Sequence, residues 1–152
     1  MRISRHQLFM EVAQVFAKRS TCARLAVGAV VVADRSIVAA GYNGSAAGEP
    51  HCTGKHCTPP GQGCQRALHA ELNALSRIPT SVLGSPLDIY VTDSPCAHCY
   101  ELIVEPMYHI RSLYFANLYR INQHLLDHSE LSIFRLTPSG YVIDYRTGEL
   151  VE

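Results

Sequence analysis

Two short segments of the chain carry residue types that can bind a metal ion and move protons. His69 and Glu71 are separated by one residue, and further along the chain Cys96 and Cys99 form a C-x-x-C pair that follows a proline. A catalytic zinc site takes three protein ligands and keeps its fourth position open for water. The unligated carboxylate can handle protons beside that water. The sequence therefore predicts a catalytic zinc centre with ligands His69, Cys96 and Cys99 and acid–base group Glu71.

The predicted secondary structure places both segments at the N-terminal ends of helices. A helix marked by Leu68, Leu72 and Leu75 carries the first segment. A strand over Leu87–Thr92 precedes a second helix over Cys96–Val104, and the positive ends of such helices favour thiolate over thiol. A purely structural zinc, or two unrelated fragments, are the alternative interpretations. The order of the segments and their placement at helix starts favour the catalytic one.

The remaining pattern predicts strands that alternate with helices around one sheet. Ser4 and Gln7 form a capping box ahead of a helix that runs to about Arg19. Two valine-rich runs joined by Asp34-Arg35 predict an antiparallel hairpin. The additional predicted segments are strands over Val27–Ala33, Ile37–Tyr42, Leu113–Ala116 and Ile133–Leu136, a helix over Asn122–His128 and an extended segment over Tyr141–Tyr145. This alternation predicts a three-layer α/β/α sandwich with a five-stranded mixed sheet, as a single domain over residues 1–152.

Charge and apolar patterning limit the class of partner. Thirteen Lys and Arg balance thirteen Asp and Glu, whereas proteins that bind nucleic-acid polymers usually carry a basic excess. The longest apolar run, Leu25–Ala33, is about half of the roughly 20 residues that span a bilayer, and we identify no signal peptide. We therefore expect a cytoplasmic protein with no polynucleotide partner and no membrane association.

The cysteine content predicts a second metal ion. The chain has six cysteines and eight histidines, and in a cytoplasmic protein metal binding accounts for such residues better than disulfides. Four thiols beyond the C-x-x-C pair form a candidate structural zinc site, with His51 able to replace any one of them: Cys22, Cys52, Cys57 and Cys64. The alternative is that these four are ordinary buried cysteines.

Longer motifs resemble the deoxycytidylate (dCMP) deaminases of the cytidine deaminase-like superfamily. His-x-Glu followed by Pro-Cys-x-x-Cys is the signature of zinc-dependent base deaminases. Further similar runs are Val27–Val31, Gly41–Gly44, His69–Ala74 and Val142–Asp144. The loop His51–Cys64 is similar to that of bacterial and phage forms, and the resemblance covers nearly the whole chain.

The resemblance implies hydrolysis of dCMP to dUMP and ammonia, which would supply dUMP for thymidylate synthesis. In that reaction Glu71 would carry a water proton to N3 of the pyrimidine and help to protonate the leaving amino group. Three alternatives are a tRNA adenosine deaminase, a free-nucleoside or riboflavin-pathway deaminase, and a non-catalytic zinc-binding module. The zero net charge argues against the first, and the intact Glu71 argues against the last. The second shares the same chemistry and differs in its pocket contacts.

Five residues form the predicted substrate-binding set. By resemblance, the side-chain amide of Asn43 contacts the deoxyribose hydroxyl, although an ordinary Asn-Gly turn is the alternative. A nucleotide phosphate needs cationic or multiple donors, for which Arg24 and Tyr119, or the arginine after Tyr119, are candidates. A solvated surface arginine is the alternative there. The set also includes Ala70 and Ser94.

The resemblance further implies regulation and assembly. Residues 44–48 correspond to part of a site at which, in many dCMP deaminases, dCTP activates and dTTP inhibits with Mg²⁺, usually in hexamers. The family often has a proline in this stretch, where this chain has Ala46 or Ala47. We therefore expect a homo-oligomer, with a hexamer favoured.

Several histidines have no predicted chemical role. His98 lies between the two cysteine ligands, and we expect it beside the ligands or at the surface. The others have no partners at ligand spacing and are expected to be incidental: His6, His109, His124 and His128.

Overall fold

The computed structural model describes residues 1–22, 25–45, 48, 67–119, 123–127 and 130–152. Its helices are α1 (Arg5–Ala17), α2 (Ala70–Leu75), α3 (Ala97–Ile103) and α4 (His124–Asp127). Short 3-10 helices span Thr80–Val82 and Pro106–Tyr108. Its strands are β1 (Gly28–Ala33), β2 (Ser36–Tyr42), β3 (Gly44–Ser45), β4 (Ala67–Leu68), β5 (Leu87–Asp93), β6 (Ile110–Asn117), β7 (Ser132–Leu136) and β8 (Val142–Asp144).

One mixed sheet organises the described part of the chain. Its six strands lie in the order β2-β1-β5-β6-β7-β8. The central strands β5, β6 and β7 are parallel, and β1, β2 and β8 run antiparallel to their neighbours. The predicted count of five strands is wrong by one, because the terminal extended segment pairs with β7 through Leu136↔Val142 and Phe134↔Asp144.

Helices cover both faces of this sheet, which confirms the predicted three layers. Along β1 every residue is buried, so successive side chains enter the two cores in turn. The core on the α1 face includes Phe9, Met10, Val30, Val32 and Tyr90. The core on the face of α2, α3 and α4 includes Ala29, Val31, Ile89, Leu113, Phe115 and Leu125. No helix in the described ranges is long and apolar enough to cross a lipid bilayer.

The capping box and one glycine fix the position of α1. Ser4 Oγ accepts the backbone N–H of Gln7, and Gln7 Oε1 accepts the backbone N–H of Ser4. Gly28 then lets the helix approach the sheet closely, because a Cβ at this position would lie 1.9 Å from the carbonyl oxygen of Ala13. The predicted N-terminal cap is therefore confirmed, and a side chain at position 28 would force α1 away from β1.

A short second sheet leads into the first predicted metal ligand. Gly44 pairs with Leu68 and Ser45 with Ala67, so β4 ends immediately before His69. The prediction that Leu68 belongs to the helical stripe is wrong, because this residue is in a strand and 40% exposed. The helical spacing to Leu72 is therefore coincidental.

The tip of the β1–β2 hairpin has an unusual backbone. Asp34 and Arg35 have φ angles of 45° and 69°, which lie in the left-handed region. Two such residues in succession give the type I′ turn that matches the twist of paired strands, although Asn-Gly is the sequence that suits it best. The predicted turn is confirmed at the predicted residues.

The turn after β8 ties the last part of the sheet to α4. Asp144 Oδ1 accepts the backbone N–H groups of Arg146 at 2.9 Å and Thr147 at 3.0 Å. The guanidinium of Arg146 donates to the carbonyl of Leu125 at 3.2 Å and also to the carbonyl of Leu131. A single arginine therefore connects this turn with α4 and with the entry to β7.

Candidate active site

Three side chains that can bind a metal converge at the N-terminal ends of α2 and α3. His69 is the N-cap residue of α2, Cys96 is the N-cap residue of α3, and Cys99 lies in the first turn of α3. The Nδ1 atom of His69 lies 3.0 Å from Cys99 Sγ and 3.6 Å from Cys96 Sγ. All three ligand atoms lie within 4.8 Å of one another. The structure thus brings together the three predicted zinc ligands.

The donor set fits a tetrahedral zinc ion. Zn–S bonds of about 2.3 Å and Zn–N bonds of about 2.05 Å separate nitrogen from sulfur by roughly 3.6 Å across a tetrahedral angle. The His69–Cys96 separation of 3.6 Å agrees with this value, and the His69–Cys99 separation of 3.0 Å is somewhat shorter. One imidazole and two thiolates are the ligands that zinc prefers, and three of them leave a position for water.

Close packing against β2 holds α2, and with it His69, in place. A Cβ at Gly41 would lie 2.7 Å from the backbone nitrogen of Ala74, so glycine lets the strand and the helix meet backbone to backbone. The side chain of Asn73 donates from Nδ2 to the carbonyl of Tyr42 at 2.8 Å. The ligand at the start of α2 therefore has little freedom to move relative to the sheet.

The two cysteines differ in their affinity for protons. Hydrogen bonds from the Cys99 thiol, from His69 and from the Cys99 backbone N–H lower the pKa of Cys96 to about 3. The pKa of Cys99 is raised, because its thiol donates to Cys96, because it is buried, and because the Glu71 carboxylate is close. The pair therefore favours the thiolate on Cys96 and keeps its shared proton on Cys99, and a cation bound between the two sulfur atoms would replace that proton.

Glu71 is a buried carboxyl group beside these ligands. It is 4% exposed, and burial raises its pKa to about 7, against the lowering effects of its own backbone N–H, of His69 and of the Cys99 thiol. A group that gains and loses a proton near neutral pH is suited to general acid–base catalysis. Glu71 is therefore a buried, titratable carboxyl group beside the cluster and is not one of the three converging ligand residues.

Two predicted substrate-binding residues contact each other next to the cluster. Ser94 Oγ accepts the backbone N–H of Tyr119 at 2.8 Å and donates to the carbonyl of Tyr119 at 3.4 Å. Ser94 lies two residues before Cys96 and is buried. Ala70, also in the predicted set, is fully buried between the ligand His69 and Glu71. Ala70 and Ser94 thus lie one and two residues from a ligand along the chain, and Tyr119 is joined to Ser94.

The side-chain amide of Asn43 bonds to the backbone of the segment that precedes β1. Its Oδ1 accepts the backbone N–H of Val27 at 2.8 Å, and its Nδ2 donates to the carbonyl of Leu25 at 2.7 Å. The side-chain amide therefore holds the segment that enters β1 against the end of β2. One N–H of Nδ2 and one lone pair of Oδ1 take no part in these two bonds, and the contact with a sugar hydroxyl stays a prediction.

Most of the second predicted metal site lies outside the described residues. This holds for His51, Cys52, Cys57 and Cys64, and also for the candidate phosphate ligand Arg24. Cys22 is described and half-buried, and its backbone N–H donates to Ser20 Oγ at 3.1 Å. The structural zinc therefore stays a prediction.

His124 makes a contact that spacing along the sequence does not indicate. Its Nε2 lies 2.9 Å from the carbonyl oxygen of Pro95, the residue before the ligand Cys96. Its ring packs against Tyr100 of α3, with centroids 5.4 Å apart. A histidine 29 residues from its partner has no local motif, so the sequence offers no signal for it.

Comparisons with known proteins agree with this geometry. The family model of the cytidine and deoxycytidylate deaminase zinc-binding region matches residues 3–117. The chain is 36% identical to ComE operon protein 2 of Bacillus subtilis over 97% of this chain and 79% of that protein. It is 40% identical to the deoxycytidylate deaminase of Mycobacterium phage D29 over 64% of this chain and 84% of that protein.

A solved structure extends the likeness to the whole fold. The dCMP deaminase of cyanophage S-TIM5, crystallised in complex with dCMP and dUMP, matches with a TM-score of 0.74 and 30% identity. The match covers 90% of this chain and 99% of that chain. Since the family match at residues 3–117 includes His69, Glu71, Cys96 and Cys99, the chain belongs to the cytidine and deoxycytidylate deaminase zinc-binding family.

Proposed function

We propose that this protein deaminates dCMP by hydrolysis, giving dUMP and ammonia. The observation that carries the proposal is the buried carboxyl group of Glu71 beside the ligand set of His69, Cys96 and Cys99. A purely structural zinc site has no use for such a group. The likeness to phage dCMP deaminases, one of them solved with dCMP and dUMP, supports the choice of substrate.

The ligand residues and Glu71 divide the chemistry between them. A zinc ion bound by His69, Cys96 and Cys99 would act as a Lewis acid that makes water nucleophilic near neutral pH. Glu71 accepts the first proton of the attacking water and delivers it to N3 of the pyrimidine, while the water oxygen bonds to C4. The second water proton passes through Glu71 to the amino group, and the C4–N bond breaks to release ammonia.

Residues around the cluster hold the nucleotide in this proposal. Ala70 and Ser94 adjoin the ligands and would shape the base pocket, and Asn43 would use its remaining N–H on the deoxyribose hydroxyl. Arg24 and Tyr119 would bind the phosphate. The Ser94–Tyr119 hydrogen bonds support this assignment, because they link a pocket residue to the candidate phosphate contact.

Substrate discrimination tests the proposal against related deaminases. Ammonia release would be measured with dCMP, dCTP, cytidine and an adenosine-containing RNA, using the Glu71→Gln protein as the control for contaminating activity. We expect dCMP to be deaminated with the highest kcat/KM. Faster reaction with cytidine or with the RNA would refute the assignment of dCMP.

A second zinc ion bound by Cys22, Cys52, Cys57 and Cys64, with His51 as a replacement ligand, belongs to the proposal. Closed structural sites use four ligands, and their metal contributes directly to folding. Purified protein should then hold about two zinc ions per chain, and Cys52→Ser or Cys64→Ser should lower this to about one. A content of one zinc in the wild type, with both thiols reactive in the native protein, would remove the second site.

Regulation and assembly complete the proposal. The chain would form a single domain over residues 1–152 that acts in the cytoplasm as a homohexamer, activated by dCTP and inhibited by dTTP with Mg²⁺. The family resemblance supports these properties, and the zero net charge fits a small-molecule substrate. Light scattering would give the assembly, and initial rates with each Mg²⁺–nucleotide would give the sign of regulation. Rates unchanged by either nucleotide would exclude it.

A further inference from the structure

The turn that leads into α3 contains a buried carbonyl group that its own helix cannot satisfy. Pro95 is buried, and its carbonyl precedes Cys96, the N-cap residue of α3. Intrahelical hydrogen bonds begin with the N-cap carbonyl, here with Tyr100 N–H donating to Cys96 at 2.9 Å. A buried carbonyl one residue earlier needs a donor from elsewhere in the fold.

His124 supplies that donor among the described residues. Its Nε2 lies 2.9 Å from the oxygen of Pro95, and its half-buried ring packs at a tilt of 57° on Tyr100 in the next turn of α3. The bond joins α4 to the turn between β5 and α3. The ring contact fixes the orientation from which Nε2 meets the carbonyl.

The same turn is held one residue earlier by the segment that leads towards α4. Ser94 Oγ accepts the backbone N–H of Tyr119, and the backbone N–H of Ser94 donates to Asn117 at 2.8 Å. Two successive residues before Cys96 are therefore held from this part of the fold, Ser94 by Asn117 and Tyr119 and Pro95 by His124. With the His124 bond removed, the peptide between Pro95 and Cys96 could rotate while Ser94 stayed fixed, and that rotation would displace Cys96 Sγ.

We infer that His124 is a positioning residue for the metal centre. By its hydrogen bond to the Pro95 carbonyl, His124 fixes the position of the Cys96 side chain. The inference rests on the proposed function, in that Cys96 serves as a metal ligand. His124 is not one of the three converging ligand residues, and it contacts Pro95 and Tyr100. It sets the direction of the Cys96 side chain, much as hydrogen bonds to the ligands themselves do in other metal sites.

Two substitutions separate the effect of the His124 hydrogen-bond donor from the effect of its ring contact with Tyr100. His124→Phe keeps an aromatic ring against Tyr100 but removes the donor, whereas His124→Gln can place an N–H near the position of Nε2. His109→Phe is the matched control, since His109 Nδ1 also bonds a carbonyl, that of Gly84, at 2.9 Å. His109 pairs its own carbonyl with the N–H of Leu87 and so lies at the opposite end of β5.

The test measures metal retention in the holoprotein and does not require turnover. Zinc release to a chelator should be about tenfold faster in His124→Phe and within about threefold of wild type in His124→Gln and in His109→Phe. In the cobalt-loaded protein, the thiolate-to-cobalt absorption should shift in His124→Phe alone. Wild-type zinc release and cobalt absorption in His124→Phe, or failure of His124→Gln to restore them, would overturn the inference.

A measurement on the wild type covers the case in which the phenylalanine variant does not fold. Long-range ¹H–¹⁵N spectra of the zinc-loaded protein report which imidazole nitrogen carries a proton. We expect a proton on Nε2 of His124, as a donor to Pro95 requires, and an unprotonated Nε2 would overturn the inference. A wild type that binds zinc but does not deaminate dCMP would refute the proposed function and leave this inference intact.

Discussion

The two faces of the sheet both bury a titratable group, but they surround it differently. On the α2–α3 face, Glu71 lies beside a histidine and two cysteines whose ligand atoms converge. On the α1 face, the hydroxyl of Tyr90 lies 2.7 Å from His6 Nδ1, and His6 Nε2 lies 3.3 Å from Glu152. The second group superficially resembles a catalytic relay, because an acid, a histidine and a hydroxyl stand in a row.

Burial has opposite consequences on the two faces, because a carboxyl group ordinarily titrates below neutral pH and a phenol above it. Burial raises the pKa of Glu71 to about 7, which brings this carboxyl group into the range where it exchanges protons at neutral pH. Burial also raises the pKa of Tyr90, which takes the phenol further from neutrality. Aromatic rings fill the space beside it, with Tyr114 stacked on Tyr90 at 4.5 Å. Convergent ligand atoms, rather than burial alone, therefore distinguish the candidate active site from the aromatic core around Tyr90.

Removal of a ligand should give the largest effect on the α2–α3 face. His69→Ala should lose the catalytic zinc, because two thiolates are too few for a stable site. Its rate of deamination should fall by more than the roughly 10⁴-fold upper range of a single acid–base group. Atomic absorption measures the zinc, and His98→Ala, which changes an exposed histidine of α3, is the control. Wild-type zinc content in His69→Ala would contradict the ligand assignment.

Removal of the acid–base group should separate chemistry from metal binding. Glu71→Gln should keep its zinc and its fold, since Gln is similar in shape, but lose about 10²- to 10⁴-fold in kcat. Steady-state kinetics with dCMP measures the loss of kcat. Zinc analysis and circular dichroism check that the variant keeps its metal and its fold. Near-normal turnover in this variant would exclude Glu71 from the mechanism.

The Tyr90 hydroxyl should affect stability rather than rate. Tyr90→Phe keeps the stacked ring and removes the hydrogen bond to His6, so the free energy of unfolding should fall by about 1 kcal/mol. Deamination should stay within about twofold of wild type. Urea unfolding and steady-state kinetics measure the two quantities. A tenfold loss of rate with unchanged stability would show that the α1 face takes part in function after all.

The smallest effect should come from the end of the sheet opposite the site. Asp34 and Arg35 turn beyond Ala33, which pairs with Leu87 at the start of β5, roughly 20 Å along the strand from its other end. Changing both residues to Asn-Gly should raise the free energy of unfolding by about 0.5–1 kcal/mol, because glycine adopts the left-handed conformation without strain. The rate should not change.

A second double substitution at the same turn tests whether backbone strain is the reason for the expected change in stability. Ala-Ala at positions 34 and 35 should destabilise the protein, since alanine is strained at the φ angles of 45° and 69° found there. Equal stability of the two double variants would show that backbone strain at the turn is negligible.

Local signals in the sequence predicted the parts of the fold that depend on neighbouring residues. The Ser4–Gln7 cap and the Asp34–Arg35 turn each depend on contacts within four residues of the chain. Both can therefore be predicted from the local sequence. The ligand spacing Cys96-x-x-Cys99 is local for the same reason, because residues three apart share one face of a helix start.

Features that depend on contacts distant along the chain were not predictable in this way. The pairing of Val142 with Leu136 needs the terminal segment to fold back, and the alternation of apolar residues does not name the partner strand. The amide of Asn43 faces the backbone of Leu25 and Val27, which a turn motif does not indicate. His124 is the clearest case, because its partner is a carbonyl group and every residue has one.

The arginine in the turn after β8 has a consequence for synthesis of the chain. The carbonyl groups of Leu125 and Leu131 receive hydrogen bonds from Arg146, which the ribosome adds 21 and 15 residues later, respectively. Until then the edge of the sheet beyond β6 lacks this anchor. A nascent chain that stops before Arg146 leaves the carbonyl groups of Leu125 and Leu131, two buried residues, without this donor, so the link between α4 and the entry to β7 forms only after Arg146 has been made.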